Sequence, residues 1–223
     1  MDNSEVLLER AIRSLEEANI SENLWAVGGG TVLSSVYGHR LSKDIDIFIS
    51  EPQLLGGISP RFNPVTEEAL DYEETNSFVS LTFPEGKIDF VNASQISGFR
   101  PEKKNFLGSV VYVEDPVEIV SKKLFFRGQY VLPRDLFDLA VVYDSDRKED
   151  LFGVLAGMKD KMAVFKKSFH AVVNSKDFVP YTVSNKDMLL ETNHIAGGQE
   201  IELCKAFLNE LDTRVLKGNQ NEP

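Results

Sequence analysis

Residues 27–50 read VGGGTVLSSVYGHRLSKDIDIFIS, and this stretch decides the fold. A short apolar run, Leu24–Val27, halts at Gly28-Gly29-Gly30. Thr31–Tyr37 then reads as a short helix with Gly38 as its terminator. Asp44–Ser50 alternates strictly, the period-two signature of a strand. Residues two apart on a strand share a face. Asp44 and Asp46 therefore fall on one side, and Ile45, Ile47 and Ile49 on the other. The isoleucines can be buried while the carboxylates converge on open space.

Two parallel carboxylates about 5 Å apart repel by roughly 3 kcal/mol at an effective dielectric near 20. A divalent cation would cancel that repulsion. Hard oxygen ligands of this kind suit Mg2+ or Mn2+, which keep open positions for phosphate oxygens. The glycines supply the complementary half. Amide groups at a glycine turn entering a helix make an anion site, strengthened by the helix dipole, and Thr31 adds a hydroxyl. The stretch is not a P-loop, because no Lys-Ser/Thr follows the glycines. It is not the dinucleotide fingerprint either, since the position three after Gly30 is Leu33. A solvated strand face can alternate like Asp44–Ser50, and the glycine turn ahead of it is what favours a site. A phosphate cradle beside Asp-x-Asp points to phosphoryl or nucleotidyl transfer.

Outward from this stretch, residues 4–18 read as a helix through Leu8, Ala11, Ile12, Leu15 and Ala18. Residues 51–74 are loop-like, with three prolines. Ser77–Phe83 and Lys87–Val91, joined by Pro84-Glu85-Gly86, signal a hairpin. Asp115, Pro116 and Glu118 form a capping-box pattern opening a helix that runs to Arg127, with Gly128 ending it. Arg134–Tyr143 is a further helix, and 148–173 is helical in one or two pieces. Gln199–Leu216 is a last amphipathic helix, with Ile201, Leu203, Cys204, Phe207, Leu208, Leu211 and Val215 on its apolar face. The fold class is mixed α+β: a sheet with flanking helices, then a helical lobe, divided as residues 1–110 and 111–223.

Composition narrows the function. With 42% apolar and 26% charged residues over 223 positions the chain is globular, apart from a short polar tail at Asn219–Pro223. A single cysteine, Cys204, excludes an intramolecular disulfide, and its helical position marks it as core. His39, His170 and His194 are far apart, with no C-x-x-C or H-E-x-x-H pattern for zinc. The charged amphipathic N-terminus is unlike a signal peptide, and the longest uncharged run, Leu24–His39, is too short to span a bilayer. A cytoplasmic protein with no membrane partner is expected. Net charge is −11, concentrated in residues 1–99 with 6 basic and 16 acidic groups. Any polyanion would have to meet the middle third, where five lysines lie between Lys159 and Lys176.

Gly-Gly-Thr, a gap, Gly38-His39-Arg40, then Ser42-x-Asp44-Ile-Asp46-Ile-Phe48 resembles the first motif of the AbiEii/AbiGii nucleotidyltransferase toxins, members of the DNA polymerase β-like nucleotidyltransferase superfamily. Lys123-Leu124, Arg127 and Arg134-Asp135-Leu136-Phe137-Asp138-Leu139 are similar to that family's K-L-x-x-x-x-R…R-D-x-x-D-L element. The two segments frame residues 25–142. The resemblance implies a small nucleotidyltransferase sheet followed by a helical lobe, with the site between them. It implies that Asp44 and Asp46 bind two Mg2+ or Mn2+ ions, with a third carboxylate from a neighbouring strand. Asp89, flanked by Ile88 and Phe90 on the opposite face, is the candidate. It implies an NTP substrate held by Gly29, Gly30, Thr31, Lys123 and Arg127. Asp135 and Asp138 would bind the nucleotide, position Lys123 or orient an acceptor. His39 and Arg40 belong to the motif, but their roles do not follow from spacing. The acceptor would be an RNA 3′ end, commonly tRNA, or a protein hydroxyl, and an antitoxin partner is implied. Two alternatives stand beside this reading. One is a two-metal phosphodiesterase or nuclease with water as acceptor. The other is a non-catalytic nucleotide-binding protein of the same fold.

Overall fold

The computed structural model describes residues 2–218, with side chains described from Asp2 to Arg214. The side chain of Val215 and the tail from Asn219 lie outside the described residues. The chain forms two compact units. Unit 1 comprises Met1–Val36, Leu41–Gln95 and Phe99–Asp115. Unit 2 comprises Tyr37–Arg40, Ile96–Gly98 and Pro116–Pro223. A division at residue 110 would cut a strand, and two short segments of the N-terminal half pack with the helical unit instead.

Unit 1 is a seven-stranded mixed sheet. Its strands are β1 (Trp25–Gly28), β2 (Ile45–Ile49), β3 (Asp71–Glu74), β4 (Phe78–Phe83), β5 (Gly86–Asn92), β6 (Glu102–Phe106) and β7 (Ser109–Val113), in the order β3-β4-β5-β2-β1-β7-β6. Pairs β2–β5 and β1–β7 are parallel and the rest antiparallel. Helix α1 (Asn3–Glu17) opens with a capping box between Asp2 and Glu5. Its buried stripe includes Leu7, Leu8, Ala11 and Leu15, and α1 packs on β2 and β5. There Ile45, Ile47, Ile49, Ile88 and Phe90 are fully buried. Helix α2 (Gly29–Tyr37) begins directly where β1 ends.

Strands β3, β6 and β7 have no counterpart among the elements expected from sequence. β3 (DYEE) and β6 (EKKNF) carry mostly exposed polar side chains and show no alternation of burial. Both are edge strands, where charge discourages pairing with another chain. Neither presents the periodic signal that identified β2.

Unit 2 contains α3 (Pro116–Arg127), α4 (Pro133–Tyr143), α5 (Lys148–Ala156), α6 (Lys159–Val173), α7 (Tyr181–Ser184) and α8 (Gln199–Gly218). α3 begins with proline at its first position, as its sequence predicts. Its Glu118 carboxylate, however, reaches beyond its own helix as well as to Lys122 within it. It accepts the amides of Ile96 (2.9 Å) and Ser97 (2.7 Å), with Lys122 Nζ at 3.4 Å. That fully buried carboxylate ties segment 96–98 to the helices. α8 packs on α4, with Cys204 donating to the Leu136 carbonyl at 3.3 Å. Burial raises the pKa of that thiol, as befits a core position. Tyr143, Phe152 and Phe207 form an aromatic centre, the last two stacked at 5.4 Å. Among the described residues no helix is long and apolar enough to cross a membrane.

Charge divides sharply. Unit 1 carries 8 basic and 19 acidic residues, and unit 2 carries 16 of each. The whole net −11 therefore belongs to unit 1, and unit 2 is formally neutral. Its lysine run is partly occupied: Lys166 pairs with Asp212, and Lys161 Nζ stands 4.4 Å from the Phe125 ring centroid.

Phe207→Ala would leave a cavity against two rings and should destabilise unit 2 by about 3–5 kcal/mol. Urea unfolding followed by circular dichroism reads the shift, and an unchanged midpoint would contradict this packing.

Candidate functional site

The register of the sheet builds an acidic row in unit 1. Asp46 on β2 is opposite Asp89 on β5, Asp89 is opposite Ser80 on β4, and Gly28 on β1 is opposite Asp46. Glu114, just past β7, continues the row by donating its amide to the Val27 carbonyl at 2.8 Å. Its buried side chain brings Oε2 to 2.5 Å from the position a Cβ on Gly28 would take. The Phe48 ring closes on the same spot. Asp46 and Asp89 thus stand side by side because two apolar strands pair in parallel with their isoleucine faces inward.

The glycine turn serves this row. Gly29 has φ +71°, in the left-handed region that favours glycine. A Cβ there would overlap the Asp46 carboxylate outright. All three glycines are buried, so the turn seats Asp46 at the start of α2 instead of standing open to solvent. A carboxylate at a helix N-terminus is favoured by the dipole. Thr31, expected to offer its hydroxyl to a ligand, is buried and donates it to the Asp44 carbonyl at 2.5 Å, with Ser42 Oγ 3.1 Å away.

The three aspartates are neighbours but do not close into a cluster. Among the described residues no three His, Cys, Asp or Glu side chains are grouped so as to hold one ion. Each carboxylate turns to a different neighbour: Asp46 to Gly29, Asp44 toward Gly86, and Asp89 to Ser80 Oγ (2.6 Å) and Lys87 Nζ (3.3 Å). Sequence reasoning missed Ser80, Lys87 and Glu114. The one available signal was polarity on the Asp89 side of otherwise apolar strands.

Unit 2 contains a second, denser group. Asp138 is fully buried. Its Oδ1 accepts His39 Nε2 (2.8 Å) and Arg40 Nε (2.8 Å), and its Oδ2 accepts Arg40 Nη2 (3.0 Å) and Lys123 Nζ (2.7 Å). Lys123 also reaches Asp135 Oδ1 (3.2 Å), which Arg127 grips with both Nε and Nη2 at 2.8 Å. Burial alone would raise the Asp138 pKa, but the charges of Lys123 and Arg40 and the His39 bond hold it well below the usual carboxylate range. Burial likewise opposes the charge of Arg40, and Asp138 reverses that, raising the guanidinium above its ordinary value. Segment 37–40 is pinned in this unit by a bridge between Arg40 and Leu189, and by Thr192 Oγ1 donating to the Gly38 carbonyl at 2.6 Å. Asp135 and Asp138 thus both contact the Lys123 ammonium. Arg134 is exposed at the start of α4.

A family model described as nucleotidyl transferase AbiEii toxin, type IV TA system, matches residues 11–187. MenT4, a nucleotidyltransferase toxin from Mycobacterium tuberculosis H37Rv, has a similar fold at TM-score 0.53 and 16% identity, over 94% of this chain and 82% of that one. JHP933 from Helicobacter pylori aligns over 98% of this chain and 96% of its own at 20% identity and TM-score 0.44. No curated protein matches the sequence.

Two outcomes follow from the geometry. Gly29→Ala should displace Asp46 and lower the melting temperature, because strained backbone and steric overlap coincide there; a neutral substitution would contradict the close approach. Asp138→Asn should cost about 3–5 kcal/mol at pH 7, since it uncompensates buried cations. The folded-state pKa of Asp138 lies below the unfolded value of about 3.9. Its stabilisation is therefore present above that pH and lost as pH falls toward the folded value. Urea midpoints measured from pH 7 down to 2 should fall less steeply for Asp138→Asn than for the wild type.

Proposed function

The chain belongs to the AbiEii nucleotidyl transferase toxin family, and on that premise we propose that it transfers a nucleoside monophosphate from an NTP to an acceptor hydroxyl with the help of Mg2+ or Mn2+. The observation that carries this reading is the register pairing of Asp46 with Asp89 across parallel strands, with Gly28 and Glu114 completing the row. The donor set fits a hard divalent cation, because it consists of carboxylate oxygens on adjacent strands. Lys87 at Asp89 already supplies positive charge of the kind such an ion would bring. Asp46 and Asp89 would hold the metal, and Asp44, which here points toward Gly86, would have to turn toward them to serve as a third ligand. Bound there, two ions would neutralise charge on the triphosphate and activate the acceptor hydroxyl.

The remaining roles belong to the chain itself. Gly29 leaves room for the Asp46 carboxylate at the start of α2, and Gly30 continues the buried turn beside it. Thr31 holds the chain entering β2 through its bond to the Asp44 carbonyl. Lys123 binds the triphosphate with an ammonium fixed by Asp135 and Asp138, and Arg127 adds charge beside it. Such a site works by positioning and electrostatics, without a covalent nucleophile. The acceptor class is an RNA 3′ end such as that of tRNA, or a protein hydroxyl. The family's toxin–antitoxin description supports an antitoxin partner.

Incubation with each labelled NTP, Mg2+ and total RNA or protein tests this. Label should pass to one acceptor class in the wild type and not with Asp46→Asn. The same variant should keep or raise its melting temperature in chelator, because it removes like-charge repulsion. Acceptor cleavage without NTP would instead favour a phosphodiesterase. Undiminished transfer by Asp46→Asn would refute the site.

A further inference from the structure

We infer that His39 is a positioning residue for Lys123, acting through Asp138. The inference rests on the reading of Lys123 as a nucleotide-binding group. A carboxylate offers about four acceptor positions on its two oxygens. At Asp138 all four are taken: two by Arg40, one by Lys123 and one by His39. Arg40 bonds both oxygens, so it fixes the plane of the carboxylate. His39 bonds only Oδ1, the oxygen that Lys123 does not touch. Together with Arg40 it therefore holds Oδ1 in place while Lys123 bonds Oδ2, fixing the face of the carboxylate that the lysine meets.

The imidazole itself is held for this one bond. It is 1% exposed, edge-on to Phe137 at 5.0 Å, and its backbone carbonyl accepts the Leu190 amide. Its Nδ1 is buried with no hydrogen-bond partner. A bare buried nitrogen carries a desolvation cost that an apolar side chain of similar size would avoid. Packing alone thus disfavours histidine here. What the ring adds over leucine is the Nε2–H donated to Asp138, with Nε2 assigned the proton because it faces a carboxylate. The same carboxylate is the closest partner of the Lys123 ammonium, so the effect of His39 on a ligand must pass through it.

Calorimetric titration of the Mg2+ complexes of the four NTPs tests this with His39→Leu, His39→Gln, Lys123→Met and His39→Leu/Lys123→Met. Circular dichroism first establishes that each variant is folded. His39→Leu should weaken nucleotide binding about 10-fold, the scale of one lost hydrogen bond to a charged group. His39→Gln, whose amide can donate from a similar position, should recover to within about threefold of the wild type. In the Lys123→Met background His39→Leu should change affinity less than about twofold, because an effect transmitted through a partner vanishes with it. An equal loss in both backgrounds means a general structural role and overturns the inference. So does unchanged binding by His39→Leu where Lys123→Met binds weakly. Unchanged binding by Lys123→Met overturns the nucleotide site itself, and the inference falls with it.

Discussion

The structure of unit 1 depends on the pairing of β2 with strands on both sides. β2 runs parallel to β5 and antiparallel to β1, and both registers meet at Asp46. A slip of one residue in either pairing would carry Asp46 into the apolar layer and an isoleucine out of it. The fully buried Ile45, Ile47 and Ile49 forbid that slip. The hydrophobic face that folds the sheet is therefore also what aligns the carboxylates. Gly29 completes the constraint, since any side chain there would collide with Asp46.

Unit 2 solves a different problem. Burying Asp138 would be prohibitive for an isolated carboxylate, and it is permitted by two cations and a histidine that use all its acceptor positions. Removing any one donor leaves the carboxylate less compensated in a low-dielectric setting. Such networks hold their members in one geometry, which suits the nucleotide-binding role proposed for Lys123. Lys123 is buried, so its direction is set by Asp135 and Asp138 and not by solvent.

Much of this was legible in the sequence. The alternation of Asp44–Ser50, the glycine turn and the Pro84-Glu85-Gly86 hairpin gave β2, β4 and β5 and implied that Asp46 and Asp89 share a face. Helices α3 to α6 and α8 followed from caps and apolar periodicity. The edge strands β3 and β6 were not legible, because exposed strands need no alternation. Glu118 illustrates a different limit: its position suits a capping box, but tertiary partners at Ile96 and Ser97 claim its carboxylate. The glycine turn reads as a phosphate cradle in the sequence, while the contact of Asp46 with Gly29 depends on the fold. The motif residues His39 and Arg40 lie 99 and 98 positions from their partner Asp138, beyond any local pattern.

The central claim is that Asp46 and Asp89, neighbours across β2 and β5, share a divalent cation. Crystals grown with MnCl2 and a non-hydrolysable NTP, examined by anomalous scattering at the manganese edge, address it directly. The account predicts a peak at the Asp46–Asp89 pair, with Asp89 released from Lys87. Manganese bound elsewhere, with Asp89 still held by Ser80 and Lys87, would contradict it.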